Sequence, residues 1–541
     1  MERPADPVLS MSLWRADPRD AARLPTSLGA ALGAAARDWP ANDALVYTCQ
    51  PDIGELRWSY RELDERSTRL AVALLARGYR SGDRIAVWGP NHPHWIALEY
   101  AIAKAGMVIV ALNPTYRQGE LEFALNTSGA VAIFHADMVS GIRLGDVIDA
   151  VSVPTLRERF SFTTDVAAML EHAYEGIALP AVDPDSLLMI QYTSGTTGTP
   201  KAAQLSHAAV ATSAHNSYRL WGFGSTDRVC HGFPLFHVGG SGNSTPGAMM
   251  VGATTLPLYV FKARETLDIL ESERCTGFIG VPTMLTKMLE EPGFGNRDLS
   301  ALKVIIIGGA PVSLKLLREC ESAFGADIIN GYGQTETCGV TCSTVQRDTA
   351  ERKTGTNGRP LPGVSVKIVE AQGGIVPCGQ VGELCYEGPG KMMGYANVAA
   401  DQSGFDSAGW LRSGDLASMD DQGYVRVTGR AKEMIIRGGE NLSPVEIENY
   451  LLMHPDIAEA AVIGLPDAHY GEEVCAVLRS SHSAHASPED IRAWVSERIS
   501  RWKVPRYVVF VEAMPLTPSG KIKKFELRAT MTAHFGLEPP A

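Results

Sequence analysis

The sequence lacks the features that mark several specialised classes of protein. No run comes near the roughly 18 apolar residues that a membrane-spanning helix needs, and the N-terminal segment has no apolar stretch of the kind found in signal peptides. Acidic residues outnumber basic ones and give the chain a net charge of -12, which argues against a nucleic-acid partner. We therefore expect a cytoplasmic protein that has no membrane span and binds no nucleic acid.

Cysteines at the spacing of metal or redox motifs are also missing. The nine cysteines are scattered along the chain, odd in number and never spaced C-x-x-C. This pattern indicates neither a disulfide framework nor a zinc site. We expect reduced thiols with a structural role.

What the sequence does contain is a long alternation of helical and strand patterns. With 541 residues, 45% of them hydrophobic, the chain exceeds what one core usually supports, so we expect two or more domains. Ser59 and Glu62 form a capping box ahead of a helical pattern that ends at Gly78, and another helical stretch covers about 94–105. Apolar runs that indicate buried strands lie at 85–88, 107–112, 304–307 and 327–329. This order predicts an α/β fold with largely parallel sheets.

The pattern changes after about residue 360. Short alternating runs at 364–369 and 382–386 are separated by turns and predict antiparallel strands. Ser443, Pro444 and Glu446 then supply an N-cap, a first-turn proline and a capping-box acid, so a helix is expected to begin there. Another helix is expected after Ser487. These elements predict a compact α+β domain at the end of the chain.

One segment in the middle of the chain, YTSGTTGTPK at 192–201, combines small residues, hydroxyls and a lysine. An apolar run precedes it and Ser206 follows as the N-cap of a helical pattern, so we predict a strand, a loop and a helix in that order. Gly195 and Gly198 free the backbone to point N–H groups at an oxyanion, and Lys201 adds a positive charge, which favours phosphate. The lysine lacks the neighbours of the G-x-x-x-x-G-K-[ST] phosphate loop, and a plain surface loop stays the alternative.

Five segments in a fixed order carry a resemblance to a known family: YTSGTTGTPK (192–201), GYGQTET (331–337), GWLRSGDLA (409–417), VTGRAKEMIIRGGEN (427–441) and PLTPSGKIKK (515–524). Together they resemble the signature of the ATP-dependent adenylate-forming enzymes, and within that superfamily the acyl-CoA synthetase branch. The resemblance covers about residues 28–528. It implies a large N-terminal AMP-binding domain (1–431), made of sheets flanked by helices plus a small β-barrel-like part, followed by a small mobile α+β domain (432–541).

The resemblance also implies a reaction in two steps. A carboxylic acid attacks ATP to give acyl-AMP and pyrophosphate, and a thiol then displaces AMP. Because a carboxylate attacking a triphosphate must overcome repulsion of like charges, Mg²⁺ is an expected cofactor. Coenzyme A is the expected thiol, and a homodimer is left open. The alternatives are a ligase that loads the pantetheine arm of a carrier protein and, from another class, a non-catalytic ATP sensor.

In the nucleotide site, the resemblance implies that Tyr332 stacks on adenine, that Thr335 contacts the α-phosphate and the acyl carboxylate, and that Glu336 binds Mg²⁺. Asp415 would accept hydrogen bonds from the ribose, and Arg430 would contact ribose or phosphate. Taken singly, each of these charges is more typical of a surface turn. The other residues expected to bind ATP or AMP are Thr193, Ser194, Gly195, Thr196, Thr197, Gly198, Lys201, Gly309, Ala310, Pro311, Gly331 and Gly333.

The C-terminal domain supplies the rest of the implied machinery. Lys521 would neutralise charge in the adenylation transition state, although a lysine in such a basic stretch is otherwise typical of a solvated surface. Lys432 is the implied hinge. A loop resembling the wall of the pantetheine tunnel contains Arg437, Gly438, Gly439 and Glu440, and a tight turn that needs positive φ would equally explain its glycines.

The acid is expected to bind at 233–256, which resembles the acyl-pocket segment of the family. The implied pocket residues are His237, Val238, Gly239 and Gly240. The glycines suggest room for a sizeable fatty or aryl acid, although they would also suit tight packing. The segment contains no lysine, arginine or aspartate, so a charged amino-acid substrate is disfavoured. Residues 239–243 approach the G-x-S-x-G pattern of serine hydrolases but end in asparagine.

Overall fold

The computed structural model of the chain describes residues 8–17, 19–20, 23–50, 53–193, 200–310, 312–396, 398, 403–430, 433–438, 440–467, 469–481, 486–517 and 522–537. Its strands form two large mixed sheets, a smaller antiparallel sheet, a C-terminal sheet and one short hairpin of β7 (Met138–Val139) and β8 (Ile142–Arg143). The predicted α/β class is confirmed.

The first large sheet has parallel strands at its centre. In order across the sheet its seven strands are β21 (Gly394–Ala396), β11 (Lys201–Ser206), β10 (Leu187–Thr193), β5 (Val108–Leu112), β4 (Arg84–Trp88), β6 (Ala132–His135) and β9 (Glu158–Ser161). The strands from β10 to β9 are parallel, and β11 and β21 are antiparallel to their neighbours. The apolar runs at 85–88 and 107–112 become β4 and β5, which are buried on both faces as predicted.

The second large sheet follows the same plan. In order its nine strands are β18 (Arg359–Pro360), β17 (Cys342–Ser343), β16 (Asp327–Tyr332), β15 (Val304–Gly308), β14 (Gly277–Gly280), β12 (Arg228–His231), β13 (Thr254–Pro257), β2 (Asp43–Gln50) and β3 (Gly54–Ser59). The strands from β16 to β2 are parallel, and the edges are antiparallel. The carboxyl ends of these parallel strands therefore share one edge of the sheet.

Helices cover the faces of both sheets, as expected when parallel strands are joined by crossovers. They are α1 (Leu28–Asp38), α2 (Tyr60–Ala76), α3 (Pro93–Lys104), α4 (Gln118–Ser128), α5 (Leu144–Asp149), α6 (Asp165–Glu171), α7 (His207–Trp221), α8 (Thr245–Val251), α9 (Ala263–Ser272), α10 (Pro282–Leu289), α11 (Leu314–Phe324) and α12 (Ala350–Gly355). Within the described ranges, no helix has both the length and the apolar character needed to cross a membrane.

Strands from the part of the chain after about residue 360 form an antiparallel sheet together with one strand from near the N-terminus, and the alternating runs at 364–369 and 382–386 are among them, as predicted. Its five strands are, in order, β1 (Leu13–Trp14), β19 (Ser365–Val369), β20 (Gly382–Glu387), β22 (Leu411–Met419) and β23 (Val425–Arg430). This sheet is the part for which the family resemblance implies a small, barrel-like shape. Its last two strands carry residues of the candidate site.

A separate sheet closes the chain. It contains β25 (Glu440–Leu442), β24 (Ile435–Arg437), β27 (Gly471–Ser480) and β26 (Ile457–Asp467), and β28 (Tyr507–Phe510) pairs in parallel with β27. Three helices pack on it through their apolar faces: α13 (Pro444–Leu451), α14 (Pro488–Ser496) and α15 (Lys524–His534). The domain boundary and hinge expected at Lys432 stay predictions, because that residue lies outside the described ranges.

Several local predictions can be compared with the helix starts. The capping box of Ser59 and Glu62 is present at α2, and Ser487 caps α14 with Asp490. Ser443 caps α13 by accepting a hydrogen bond from the Glu446 N–H at 3.3 Å. The Glu446 carboxylate does not complete the expected box. It pairs instead with a lysine on a neighbouring turn, whose full charge is a stronger partner than a backbone N–H.

All nine cysteines are free thiols. Cys49 is exposed, Cys378 is half-buried and the other seven are buried. Burial raises the pKa of the Cys320 and Cys338 thiols to about 12, so these thiols stay protonated. Among the described residues no cluster of histidine, cysteine or acidic side chains has the make-up of a metal site.

Helix α3 carries a buried acid, Glu99. Glu99 is fully buried, and neither of its carboxylate oxygens has a hydrogen-bond partner among the described residues. Lys104 on the same helix is also buried but pairs with Asp64 at 2.7 Å. Burial raises the pKa of Glu99 well above its ordinary 4.5, so the folded protein holds this carboxyl in its neutral form.

Replacing Glu99 with glutamine is expected to raise stability at neutral pH. Because folding raises the pKa of Glu99, this carboxyl must bind a proton when the protein folds at a pH between its unfolded and folded pKa values. The free energy of unfolding therefore falls by about 1.4 kcal/mol for each pH unit above the unfolded pKa, until the folded pKa is reached. The amide takes up no proton. The gain in free energy of unfolding for Glu99→Gln, measured by chemical denaturation across the range from mildly acidic to neutral pH, should therefore increase with pH. A gain that is the same at every pH would contradict a neutral Glu99.

Candidate active site

The YTSGTTGTPK segment connects two antiparallel strands, β10 and β11. β10 ends at Thr193, β11 begins at Lys201, and these two residues face each other in the antiparallel pair. The predicted order of strand, loop and helix is therefore wrong, because β11 intervenes and α7 begins only at His207, with Ser206 as its N-cap. Five of the predicted phosphate-binding residues lie outside the described ranges: Ser194, Gly195, Thr196, Thr197 and Gly198.

A short 3-10 turn, Thr335–Thr337, places Glu336 beside β11 and β21. The buried Glu336 accepts a hydrogen bond from the Tyr395 hydroxyl, with 2.7 Å between Tyr395 Oη and Glu336 Oε1. The Lys201 ammonium lies 4.8 Å from the centre of the same tyrosine ring. The structure thus brings the expected metal ligand and the expected phosphate-binding lysine to one place. Tyr395 contacts both residues, and no motif in the sequence pointed to it.

Two glycines lead into this turn. A Cβ on Gly333 would lie only 1.8 Å from the Gly339 carbonyl oxygen, so no larger residue fits without moving the backbone. Gly331 is in β16 and pairs with Gly308 of β15. Thr335 is buried within the turn itself. The GYGQTET segment is therefore a tightly packed turn after β16, the last parallel strand on this side of the sheet.

The neighbouring strand ends in the same region. Gly309 follows β15 with a φ of +81°, a left-handed conformation that favours glycine. Ala310 is exposed at this edge of the sheet, next to the end of β16. Pro311 lies outside the described residues. The edge formed by the ends of parallel strands is where α/β folds place their ligands, which agrees with the expected role of this segment.

Asp415, Arg430 and Tyr332 form a second cluster. Asp415 on β22 faces Arg430 on β23, and Arg430 Nε lies 3.1 Å from Asp415 Oδ1. The Tyr332 hydroxyl donates to Asp415 Oδ2 at 2.5 Å. Because a carboxylate offers about four lone-pair positions, Asp415 keeps capacity to accept from a ribose hydroxyl while it holds these two partners. Three residues expected to bind the nucleotide are thus in direct contact.

Burial dominates the electrostatics of this cluster. It raises the pKa of Asp415, against the opposing effects of Arg430 and the hydrogen bond from Tyr332. Burial together with the Asp415 carboxylate also raises the pKa of Tyr332 well above its ordinary 10. Tyr332 therefore acts as a neutral hydrogen-bond donor to the carboxylate.

The expected acyl-pocket residues share one turn. A π-helical turn, Val238–Ser244, follows His237, whose Nδ1 accepts a hydrogen bond from the Gly239 N–H at 3.1 Å. Val238 is buried. His237 is therefore the N-cap of this turn, a structural role that the sequence did not indicate.

The glycines of this turn do not leave open room. A Cβ on Gly240 would lie 2.3 Å from the Pro234 carbonyl oxygen, and one on Gly242 would lie 2.5 Å from Val238 Cγ2. A Cβ on Gly239 would lie 2.9 Å from the Phe233 ring. The space beside them is filled by the segment itself, so the packing explanation accounts for the glycines. The placement of the acid beside this turn stays a prediction.

The turn also tests the serine hydrolase alternative. Ser241 is fully buried, and its hydroxyl accepts a hydrogen bond from Gln191 Nε2 at 2.8 Å. It lies in a π-helical turn, not in the exposed strand-to-helix elbow that a hydrolase nucleophile requires. Gln191 is a residue that the sequence did not single out. It ties this turn to β10, the strand that precedes the loop expected to bind phosphate.

Of the residues expected to line the thiol tunnel, Arg437 ends β24, Gly438 follows it and Glu440 begins β25. Arg437 pairs with Glu473 at 2.8 Å and lies over the Trp502 ring at 4.7 Å. Gly438 has a φ of +60°, and a Cβ there would lie 2.9 Å from Trp502, so a tight turn explains this glycine. Glu440 is exposed. The tunnel itself stays a prediction. Gly439, the expected hinge residue Lys432 and the catalytic candidate Lys521 lie outside the described residues.

The donor set suits a magnesium ion that is held partly by substrate. Mg²⁺ is usually bound by one or two carboxylates together with phosphates and water. Glu336 is a single buried carboxylate, with one oxygen bonded to Tyr395. The arrangement fits an ion that arrives with a nucleotide.

Comparison with known proteins gives consistent matches. Residues 32–396 match the family model described as AMP-binding enzyme, and residues 446–521 match the AMP-binding enzyme C-terminal domain. The putative acyl-CoA synthetase YngI of Bacillus subtilis is 35% identical, covering 95% of this chain and 98% of that protein. The mouse mitochondrial medium-chain acyl-CoA ligase ACSF2 is 34% identical, covering 95% and 88%. ATP-bound MatB of Rhodopseudomonas palustris is a similar structure, with a TM-score of 0.85 and 28% identity over 95% of this chain and all of that chain.

Asp415→Ala is expected to weaken ATP binding. The substitution removes the acceptor assigned to the ribose and leaves Tyr332 and Arg430 without their partner, which should raise the Kd for ATP by about 10- to 100-fold. Isothermal titration with ATP measures this. Asp348→Ala is a matched control, because Asp348 also accepts a hydrogen bond from a tyrosine hydroxyl, that of Tyr424 at 2.6 Å. Equal ATP affinity in Asp415→Ala and the parent would show that the ribose does not bind there.

Proposed function

The chain belongs to the AMP-binding enzyme family and is an ATP-using, AMP-forming acid–thiol ligase of the acyl-CoA synthetase branch, and from that premise we propose that it joins a fatty or aryl carboxylic acid to coenzyme A. ATP and the acid would react with Mg²⁺ present to give acyl-AMP and pyrophosphate. Coenzyme A would then displace AMP to form the thioester.

The single observation that favours such an acid is the make-up of the segment at 233–256, which has no acidic or basic side chain apart from histidine. A hydrophilic substrate with its own charge needs a matching charge in its pocket, because an unpaired buried charge is costly. We place a medium-chain fatty acid first, because the mouse relative is named for that class and is 34% identical along most of both chains. An aryl acid is the second candidate.

The described residues support a division of labour in the first step. Lys201 adds positive charge where the loop after Thr193 is expected to hold the β- and γ-phosphates. Thr335 is buried in the turn beside Glu336 and has the hydroxyl expected to contact the α-phosphate. Asp415 and Tyr332 hold the ribose and adenine. Mg²⁺ bound with the nucleotide supplies charge neutralisation on the phosphates.

The C-terminal domain is proposed to serve both steps by rotating about Lys432. Lys521 would face the site during adenylation, and the turn at Gly438 and Gly439 would face it during thioester formation. These two elements lie more than 80 residues apart in the chain and belong to one small domain, so a single pose is unsuited to present both. A carrier-protein arm in place of coenzyme A is the alternative acceptor. A cytoplasmic location and a homodimeric state stay predictions.

The substrate proposal predicts the outcome of a product assay. With a panel of fatty, aryl and short acids, pyrophosphate release should require Mg²⁺ and be fastest with a medium-chain fatty acid. AMP turnover should require coenzyme A. If pyrophosphate appears but coenzyme A changes nothing, the acceptor is a different thiol. If no acid of the panel supports pyrophosphate release, the substrate of the ligase lies outside these classes and the substrate proposal is wrong.

The rotation proposal predicts that two substitutions separate the half-reactions. Lys521→Ala removes a cation from the adenylation transition state and should slow pyrophosphate release by about 10²–10³-fold, while thioester formation from supplied acyl-AMP is nearly unchanged. Gly439→Leu should do the reverse, by obstructing the path of the thiol. Measuring both half-reactions for both variants decides the matter. Similar damage to both steps in both variants would favour one fixed pose.

A further inference from the structure

One tyrosine of the site, Tyr395, contacts two residues of opposite charge, Glu336 and Lys201. This arrangement suggests a role for the tyrosine itself. We propose that Tyr395 is a positioning residue that orients the Glu336 carboxylate for a metal ion and keeps the Lys201 ammonium separate from that carboxylate. This inference rests on the proposed function. It concerns how the charges are held before ATP and Mg²⁺ arrive.

The position of Tyr395 follows from sheet register. β21 is antiparallel to β11, and Tyr395 lies directly opposite Ala203. Lys201 is two residues before Ala203 on β11, so its side chain is on the same face and diagonal to Tyr395. Diagonal neighbours are within reach when one side chain is aromatic and the other is long. The distance of 4.8 Å from the Lys201 ammonium to the ring centre is in the range of a cation–π contact.

The contact with Glu336 is fixed at both the side chain and the backbone. The Tyr395 hydroxyl donates to Glu336 Oε1 at 2.7 Å, and the Met392 N–H donates to the Glu336 carbonyl oxygen at 3.0 Å. The segment that enters β21 is therefore tied to the 3-10 turn that presents the carboxylate.

The arrangement of charges explains what the ring is needed for. Lys201 meets the face of the ring and Glu336 meets its hydroxyl end, and among the described side chains no ion pair joins the two. A direct pair would neutralise the cation meant for phosphate and occupy the carboxylate meant for the metal. The hydrogen bond from Tyr395 uses part of one carboxylate oxygen and leaves the rest of the group open to a cation. Hydrogen-bonded partners of metal-binding carboxylates commonly affect metal affinity by about 10- to 100-fold.

Two substitutions separate the hydroxyl from the ring. Tyr395→Phe removes the donor and keeps the ring between the charges, and Tyr395→Leu removes both. ATP binding is measured by isothermal titration in the presence of EDTA and again over a series of Mg²⁺ concentrations. Pyrophosphate release over the same Mg²⁺ series gives the corresponding kinetic value.

The phenylalanine variant should bind ATP in EDTA as the parent does but need about tenfold more Mg²⁺, or more, for half-maximal enhancement of binding. The leucine variant should need more Mg²⁺ and should also bind ATP in EDTA roughly two- to thirtyfold more weakly, because the contact with Lys201 is lost and the lysine is released to pair with Glu336. These results would establish both parts of the proposal.

The chain contains a matched control. The Tyr79 hydroxyl donates to Glu158 Oε2 at 2.7 Å, and Arg157 lies 5.3 Å from the centre of the Tyr79 ring. Glu158 is the first residue of β9, so it lies at the amino ends of the parallel strands of this sheet. The candidate site lies at the other end, near the carboxyl end of β10. Tyr79→Phe and Tyr79→Leu therefore remove the same kinds of contact away from the site, and they should alter thermal stability without altering either ATP or Mg²⁺ dependence.

The proposal is overturned if Tyr395→Phe needs no more Mg²⁺ than the parent, or if ATP binding by the parent does not respond to Mg²⁺. The phenylalanine variant alone decides this point if the leucine variant does not fold. A parent that binds ATP with the expected Mg²⁺ dependence but releases no pyrophosphate with any acid contradicts the proposed function instead. The binding measurements on Tyr395 would still stand in that case.

Discussion

Hydrogen bonds between polar groups of the two large sheets hold the candidate site together, although most of what packs between the sheets is apolar. Gln191 on β10 of one sheet bonds to Ser241 in the turn that follows β12 of the other. Tyr395 on β21 bonds to Glu336 in the turn that follows β16. A buried amide or carboxylate is costly without a partner, so these bonds restrict how the sheets can be placed relative to each other. The restriction brings residues from distant parts of the chain to one edge.

The site uses two different arrangements of opposite charge. Asp415 and Arg430 are in direct contact, supported by the Tyr332 hydroxyl, and form a neutralised unit whose shape is set by the pairing of β22 and β23. Lys201 and Glu336 contact opposite parts of a tyrosine and keep their charges available. The first arrangement suits recognition of a neutral sugar and base. The second suits a ligand that brings both negative phosphates and a divalent cation.

Much of the fold could be predicted because the signals are local. The capping box at Ser59 and the caps at Ser443 and Ser487 mark helix starts within a few residues, and the apolar runs of β4, β5 and β15 mark buried strands. β11 could not be predicted, since its sequence KAAQLS has little β-branched or aromatic character and its strand conformation comes from pairing with β10 and β21. The motifs of GYGQTET and GWLRSGDLA identified Glu336 and Asp415, whereas Tyr395 becomes visible only when the register of β21 is known. Local sequence also does not distinguish a glycine that opens a pocket from one that lets two backbones touch.

The glycines of the turn at 238–244 restrict the evolutionary routes by which this protein could acquire new substrates. Gly240 and Gly242 are in contact with the backbone and side chains of their own segment, so larger residues at these positions would first displace that segment. Substitutions there are poor starting material for gradual adaptation, because their cost in folding precedes any gain in recognition. Diversity in the preferred acid should therefore accumulate at residues of other elements that face the substrate. Libraries that vary those residues and leave the glycines untouched should retain more folded members.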